Sequence, residues 1–251
     1  MSEQRHSNLR FYLTEAQPCP YLPQRMERKV FTPLRGNRAA DLNDTLSVNG
    51  FRRSQNVAYR PQCPGCNACV PTRVVATEFE ASRSDKRTLK RNSHLRRVVR
   101  PSLATEEQYQ LFRKYLGGRH ADGAMAEMDA LDFASMVEDS TVRTQVIEYH
   151  DTDENGEPVL VAACLTDVMA DGVSLVYSFF DPDRQKDSLG NFIILDYVDL
   201  SKALGLSYVY LGYWVDGCRK MAYKTRFNPT ETLIGTEWKR VRSENLSLIH
   251  I

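Results

Sequence analysis

The chain has 251 residues, of which 42% are hydrophobic and 26% are charged, and this balance predicts a packed core and excludes wholesale disorder. The first ten residues are polar and the longest nearly apolar stretch, 159–165, is too short to cross a bilayer, so we expect a soluble, cytoplasmic protein. The net charge is +1, but residues 50–100 carry twelve Lys or Arg against three Asp or Glu, which leaves +9 in this segment and −8 elsewhere. This asymmetry favours a polyanionic partner over a merely solvated charged helix.

The first hundred residues are rich in proline, which predicts a loop-rich or short-stranded module. Within it we expect a strand over 74–79 and a basic helix over 84–98. The pattern changes after Pro101. We therefore predict an N-terminal domain over 1–103, which holds the cysteines and the basic segment, and a second domain over 104–251.

The second part of the chain alternates helices and strands. Thr105 and Gln108 form a capping-box pattern that begins a helix, and Gly117 and Gly118 end it. The further predicted elements are a helix over 130–138, strands over 142–149, 159–169 and 173–180, a helix over 189–204 capped by Ser188, a strand over 207–215, a short helix after Asp216 and a strand over 232–241. A meander followed by a helix and a further strand predicts a mixed α/β fold, with a C-terminal domain like that of the acyl-CoA N-acetyltransferases (GNAT).

The loop before the helix at 189 carries a candidate anion-binding pattern. Gln185-x-x-Ser188-x-Gly190 resembles the Gln/Arg-x-x-Gly-x-Gly/Ala loop with which acetyltransferases hold a pyrophosphate on helix N-terminal amides. Because Ser188 replaces the first glycine, the anion could instead be a phosphate of a tRNA acceptor end. The candidate amides belong to Ser188, Leu189 and Gly190, and a plain helix start is the alternative.

Three of the six cysteines lie close together in sequence. Cys63, Cys66 and Cys69 form two overlapping C-x₂-C spacings, and Cys19 could supply a fourth thiolate. Sulfur ligands in a reducing compartment are compatible with zinc or with an iron–sulfur cluster. The alternative is a set of reduced thiols that bind no metal.

Arginines flank these cysteines on both sides. Arg52, Arg53 and Arg73 could bind a carboxylate or phosphate at two points through the planar guanidinium. We predict that they recognise an acidic side chain of a protein substrate. Structural ion pairs within the protein are the alternative.

Several long motifs of this chain together resemble one family, the arginyl-tRNA–protein transferases. The N-terminal motifs are GFRRS at 50–54, YRPQCPGCNACVPTRV at 59–74 and SRSDKR at 82–87. The C-terminal motifs are YLGGRHADGAM at 115–125, VYSFFDP at 176–182, SLG at 188–190 and YLGYWVDGCRKMAYKTRFNPTE at 210–231. The short length resembles the bacterial branch, the aspartate/glutamate leucyltransferases.

The resemblance implies an activity. A member of this branch takes leucine from leucyl-tRNA and attaches it to an N-terminal Asp or Glu of an acceptor protein, which marks that protein for N-degron degradation. Arginine is the alternative donor. The resemblance also implies a fold related to the acetyltransferases, and iron–sulfur binding is reported for eukaryotic members.

The chemistry requires no cofactor, because the aminoacyl ester is already activated; the enzyme need only align amine and ester, move a proton and stabilise the oxyanion. We expect Asp181 to orient or deprotonate the amine, and Tyr177 and Tyr213 to hydrogen-bond near the ester. Asp181 could instead be a turn residue, and the tyrosines core aromatics. His120 is a further candidate proton carrier. The expected contacts to the tRNA backbone are Arg83, Arg87, Lys90 and Arg91.

Two other classes of function are compatible with parts of the sequence. A coenzyme A-dependent N-acetyltransferase would share the fold, but its standard pyrophosphate loop is degenerate here. A non-catalytic module that binds metal or nucleic acid would account for the cysteines and arginines. It would leave the C-terminal half of the chain unexplained.

Overall fold

The computed structural model of the chain describes residues 9–119 and 123–241. No described helix is long and apolar enough to cross a membrane. The helices are α1 (Ala39–Val48), α2 (Arg83–Arg91), α3 (Glu106–Arg119), α4 (Ala130–Glu138) and α5 (Leu189–Ala203). Single-turn or irregular 3₁₀ segments cover Ala76–Glu78, Ala124–Glu127, Gln185–Asp187 and Arg219–Arg226.

The strands form three sheets in the described part of the chain. The N-terminal strands are β1 (Tyr12–Leu13), β2 (Gln17–Pro18), β3 (Met26–Glu27), β4 (Lys29–Pro33), β5 (Arg52–Ser54), β6 (Val57–Pro61), β7 (Cys69–Val75) and β8 (Arg96–Pro101). The C-terminal strands are β9 (Thr144–Thr152), β10 (Pro158–Val168), β11 (Gly172–Phe180), β12 (Tyr208–Val215), β13 (Thr230–Ile234) and β14 (Glu237–Val241). The largest sheet has eight strands in the order β14-β13-β7-β12-β11-β10-β9-β8, and a four-stranded sheet has the order β1-β4-β6-β5.

Helices cover both faces of the eight-stranded sheet. Neighbouring residues of a strand point to opposite faces, so Ile147 packs in the cluster around α5 while Val146 packs in the cluster around α3 and α4. Both clusters consist of buried aliphatic and aromatic side chains, such as the fully buried Ile193 in the first and Phe112 in the second. The mixed α/β class is confirmed, and the meander of β9, β10 and β11 followed by α5 and β12 has the predicted order.

The basic helix is shorter than predicted. It ends at Arg91, because the Asn92 side chain donates a hydrogen bond to the carbonyl oxygen of Thr88 and the chain turns there. Residues 96–101 form the edge strand β8, antiparallel to β9, where β-branched Val98 and Val99 suit an extended backbone.

Two strand predictions also need correction at their ends. The strand expected over 74–79 is β7, which begins at Cys69 and ends at Val75, where a 3₁₀ turn follows. The single strand expected over 232–241 is a hairpin of β13 and β14 that turns at Gly235, whose φ is +65°.

The predicted domain boundary at residue 103 falls between β8 and α3. The eight-stranded sheet takes β7 and β8 from before this point and its other strands from after it. One hydrogen-bonded sheet therefore contains strands from both predicted domains, and the division of the chain into two units stays a prediction.

One strand pair opens partway along its length. β11 and β12 are parallel and pair only from Gly172 to Ser174 with Tyr208 to Tyr210. Beyond this point, β12 continues along β7 and β11 continues along β10. We call the gap between residues 175–180 and residues 211–215 the strand split.

Candidate functional site

The Arg52 side chain lies in the strand split. Its Nη2 donates to the carbonyl oxygens of Leu175 at 2.8 Å and Val176 at 3.2 Å, at the point where β11 has lost its pairing with β12. Backbone carbonyls without a ladder partner need another donor, and the guanidinium supplies it. Arg52 is therefore held in a fixed position between the two strands.

Gly212 of β12 makes room for this arginine. Its φ is +80°, and a Cβ atom on it would lie 2.4 Å from Arg52 Nη1. The same Nη1 atom is buried and has no hydrogen-bond partner in the described part of the chain. One pair of N–H donors of Arg52 thus remains unused inside the protein.

A buried lysine lies near Arg52. Lys224 belongs to the 3₁₀ segment Arg219–Arg226 that follows β12, is only 8% exposed, and its Nζ donates to the carbonyl oxygen of Tyr213 at 2.8 Å. Burial, with the charge of Arg52 second, lowers the pKa of Lys224 from its ordinary 10.5 to about 7. Sequence reasoning missed this residue, because a lysine in a polar segment ordinarily predicts a solvated side chain. The one available signal was its place within the motif at 210–231.

Aromatic residues surround this region. Tyr177, on β11, packs edge-on against Phe112, and burial raises the pKa of its hydroxyl. Tyr223 is 43% exposed, yet the surrounding protein and the nearby Tyr115 raise its pKa to about 12. Tyr223 directly precedes Lys224 in the 3₁₀ segment, so an accessible tyrosine and a buried lysine are neighbours there.

Tyr213 has a structural position instead of the predicted one near an ester. Its hydroxyl donates to the backbone carbonyls of Gly50 at 2.9 Å and Tyr59 at 3.1 Å, and burial raises its pKa well above the ordinary value. These bonds fasten β12 to the four-stranded sheet. The geometry offers no free hydroxyl here for catalysis.

Asp181 follows the last residue of β11. Its side chain is 20% exposed and accepts from Lys114 Nζ at 2.7 Å and from the amide of Asp183 at 3.0 Å. Lys114 also pairs with Asp183 at 2.8 Å, and the two carboxylates raise the pKa of the lysine. The predicted base is thus an accessible carboxylate on a charged network at the open end of the split strand.

Two of the three predicted acceptor-binding arginines are consumed within the protein. Arg53 makes a buried two-point ion pair with Asp167, at 2.6 and 2.7 Å. Arg73 pairs with Glu231 at 2.8 Å and stacks on Tyr208. This geometry corrects the prediction for Arg53 and Arg73, since neither guanidinium is available to a substrate carboxylate, and leaves Arg52 as the candidate.

The basic helix α2 lies against the loop before α5. The Arg91 guanidinium donates to the carbonyl oxygen of Lys186, and Asn92 Nδ2 donates to that of Asp187 at 2.9 Å. A capping box of Ser82 and Asp85 begins the helix. The remaining predicted tRNA contacts are exposed on this helix: Arg83, Arg87 and Lys90.

The loop at the start of α5 differs from a simple capped helix. Ser188 has φ +55° and its side chain makes no capping bond; its carbonyl oxygen instead accepts from the amides of Asn191 and Phe192. A Cβ on Gly190 would lie 3.1 Å from the Phe180 ring, so this residue brings the helix start close to the end of β11. The amides of Leu189 and Gly190 are in the first turn, where a helix has no internal acceptors for them.

The four candidate metal ligands lie near one another. Burial, followed by the charges of Cys19, Cys63 and Cys66, raises the pKa of the Cys69 thiol to about 12. The Cys63 sulfur also accepts from the amide of Arg28 at 3.5 Å. Among residues 9–119 and 123–241, no three Cys, His, Asp or Glu side chains are arranged to hold a metal ion. The zinc or iron–sulfur site therefore stays a prediction. His120 lies outside the described residues.

Two models of one protein family match most of the chain. The model described as "Arginine-tRNA-protein transferase, N terminus" matches residues 17–87, and the one described as "Arginine-tRNA-protein transferase, C terminus" matches residues 107–234. The first match contains Arg52 and the second contains Lys224.

Curated relatives match the chain over nearly its full length. The chain is 52% identical to a protein of Nitrobacter hamburgensis named "Aspartate/glutamate leucyltransferase", over 98% of each chain. It is 54% identical to a Paracoccus denitrificans protein of the same name, over 92% of this chain and 85% of the relative.

Solved structures show only distant likeness. FemX matches 76% of this chain and 64% of its own with a TM-score of 0.46 and 7% identity. L-PGS from Bacillus licheniformis matches 58% of this chain and 45% of its own with a TM-score of 0.43 and 14% identity.

Proposed function

Because this chain belongs to the arginine-tRNA–protein transferase family, we propose that it transfers leucine from leucyl-tRNA to the N-terminal Asp or Glu of acceptor proteins. Its curated relatives carry the name "Aspartate/glutamate leucyltransferase", which supports leucine over arginine as the donor. A product with a new N-terminal leucine would enter the N-degron route. We place the reaction in the cytoplasm, where charged tRNA is found.

The position of helix α2 is the observation that carries this proposal. Arg91 and Asn92 fix the helix to the loop 185–187, and Gly190 brings the next helix against Phe180 at the end of β11. A basic surface for a polyanion therefore adjoins the strand split. This arrangement suits a tRNA whose phosphates bind α2 while its aminoacyl end reaches the split.

The reaction itself is an aminolysis of an ester. The neutral α-amine of the acceptor attacks the leucyl carbonyl carbon, the C–N bond forms and the ester C–O bond breaks. The amine loses one proton and the ribose hydroxyl of the tRNA gains one. An α-amine has an ordinary pKa of about 7.7–8.0, so a useful fraction is neutral near pH 7. In this proposal Asp181 orients the amine or takes its proton, and Tyr177 lines the site.

A transfer assay tests this function directly. Labelled leucyl-tRNA and arginyl-tRNA are each incubated with the full chain and with peptides that begin with Asp, Glu, Arg or Ala. We expect leucine on the Asp and Glu peptides and no other transfer. Arginine transfer would replace the donor within the same family. Transfer from neither tRNA, with acetyl-coenzyme A consumed instead, would favour the N-acetyltransferase alternative.

A further inference from the structure

Two basic side chains lie at the strand split, and each is hydrogen-bonded to a different strand. Arg52 binds the carbonyls of Leu175 and Val176 on β11, and Lys224 binds the carbonyl of Tyr213 on β12. Neither of them makes an ion pair with a carboxylate in the described part of the chain. The other charged or titratable groups that act on Lys224 are the thiols of Cys218 and Cys69, which are neutral when protonated. The split is therefore a buried basic centre, formed by a guanidinium and an amine, for which the described residues supply no anion.

Such a centre is incomplete. A buried charge is ordinarily paired, and a buried N–H donor without an acceptor costs free energy. Unpaired groups of this kind are therefore expected where a ligand supplies the acceptor. Arg52 Nη1 is buried and has no hydrogen-bond partner among the described residues, whereas the buried Arg53 and Arg73 are each paired with a carboxylate. The missing partner is an anion.

We propose that Arg52 and Lys224 together form the site that binds the side-chain carboxylate of the acceptor's N-terminal Asp or Glu. The inference rests on the proposed function, which requires an acidic acceptor residue. It adds Lys224, which the sequence motifs alone did not single out. One carboxylate oxygen accepts from Arg52 Nη1 and the other from Lys224 Nζ.

A small carboxylate suits this place better than a tRNA phosphate. Lys224 is 8% exposed, so only a small group reaches it, whereas the phosphate-binding cations Arg83, Arg87 and Lys90 stand exposed on α2. Arg52 is partly exposed, and Tyr223, next to Lys224 in the chain, is 43% exposed. In an N-terminal Asp, only two carbons separate the carboxylate from the α-amine. Anchoring the carboxylate in the split therefore holds the amine at its opening.

Peptide binding without tRNA tests the site separately from the transfer reaction. The full chain is titrated into two peptides, labelled at the C-terminus, that differ only in beginning with Asp or Asn, and fluorescence anisotropy gives each Kd. The unaltered protein should bind the Asp peptide at least about tenfold more tightly than the Asn peptide. Equal affinity for the two peptides would overturn the proposal, even if leucine transfer is observed.

Substitutions then test whether Arg52 and Lys224 are the residues that bind the carboxylate. Arg52→Gln and Lys224→Gln should each raise the Kd of the Asp peptide about tenfold, while the Kd of the Asn peptide changes less than about twofold. Lys220→Gln, an exposed lysine of the same segment, is the matched control and should leave both Kd values unchanged. Leucyl-tRNA affinity should stay as in the unaltered protein for all three variants, which also checks that they are folded.

A different effect of Arg52→Gln would show that Arg52 acts on the aminoacyl ester of the tRNA and not on the acceptor peptide. If Arg52→Gln lowers kcat but leaves the Asp peptide Kd unchanged, the guanidinium serves the ester and the proposal is wrong. Arg52→Lys, which keeps the charge, provides a second variant should Arg52→Gln not fold. It should retain discrimination between Asp and Asn in part. Complete absence of leucine transfer with Asp-specific binding intact would count against the proposed function alone.

Discussion

Asp181 and Asp183 share one lysine but differ in what they can do. Both bind Lys114 Nζ, at 2.7 and 2.8 Å, yet the Asp181 side chain is 20% exposed and that of Asp183 is 78% exposed. Asp181 follows β11 directly, so its carboxylate is positioned by the sheet. A carboxylate held in place can orient or deprotonate an amine, whereas one in free solvent has no fixed direction.

This difference predicts unequal effects of two matched substitutions. Asp181→Asn should lower the kcat of leucine transfer by at least about tenfold, because the amide cannot accept a proton. Asp183→Asn removes the same charge from Lys114 and should change kcat less than about twofold. Steady-state transfer rates with an Asp peptide provide the measurement. Equal losses in the two variants would show that only the charge around Lys114 matters.

Lys224 links the stability of the fold to pH. Its pKa is about 7 in the folded chain and 10.5 when solvated. Between these values the unfolded chain binds more protons than the folded one, so the free energy of unfolding rises with pH in this window. Below pH 7 both states bind the proton and this dependence ends.

We therefore predict that wild type gains stability from pH 7 to pH 9 relative to Lys224→Met, by up to about 1.4 kcal/mol per pH unit. Urea unfolding at several pH values measures the difference between the two proteins. Lys220→Met, an exposed lysine of the same segment, should follow wild type. Parallel curves for wild type and Lys224→Met would mean that Lys224 stays charged in the folded chain.

At the scale of elements, the basic helix α2 is bound to the loop that precedes α5, which is distant from it in sequence. Its residues at the C-terminal end bind the carbonyls of Lys186 and Asp187, 95 positions along the chain. The exposed cations of the helix thereby adjoin the start of α5. Binding energy from such a surface comes from phosphate contacts and counterion release, so it depends on salt.

Removing two of these cations should weaken tRNA binding. Arg87→Gln with Lys90→Gln should make the slope of log K against log salt shallower by about 1.4–1.8, because each of the two phosphate contacts contributes about 0.7–0.9. Filter binding of leucyl-tRNA at several salt concentrations gives the slope. The matched control is Arg35→Gln with Arg38→Gln, two exposed arginines before α1. A slope that falls equally in the control pair would disprove a localised tRNA surface on α2.

At the scale of the whole molecule, buried polar contacts connect the four-stranded sheet to the eight-stranded one. Arg53 of β5 pairs with Asp167 of β10, and Asp167 also accepts from Thr144 at 2.8 Å. Tyr213 of β12 donates to the carbonyl of Gly50. Since Arg52 of the four-stranded sheet lies in the strand split, the geometry of the split depends on how these contacts hold the two sheets together.

Breaking the central ion pair should destabilise the whole chain. Arg53→Met leaves a buried carboxylate without its partner, which costs about 3–5 kcal/mol. Urea unfolding should show this loss, and Arg53→Met combined with Asp167→Leu should recover part of it. Recovery is expected because both charges are then absent. A loss below about 1 kcal/mol in the single variant would mean that water reaches the pair.

The sequence by itself predicted the helices and strands whose formation depends on the local pattern of residues. Alternating hydrophobicity and turn residues defined the meander, and the capping box defined the start of α3, where Thr105 and Gln108 make the predicted reciprocal bonds. The predicted end of this helix was wrong, since Gly117 and Gly118 lie within α3, which continues to Arg119. The helix over 130–138 has the predicted bounds. Long motifs also indicated the family.

The tertiary structure alone decided which charged side chains remain available to a substrate. Arg52 and Arg53 are neighbours in an arginine-rich motif. Arg52 lies in the strand split with one nitrogen, Nη1, that has no partner in the part of the chain that the structure describes, whereas Arg53 is bound to a carboxylate 114 positions away. Lys224 is buried by a strand and a segment that meet only in the folded chain. Local sequence determines backbone conformation through short-range sterics and hydrogen bonds. The partner of a long charged side chain depends instead on which distant residues the sheet brings within about 3 Å of it.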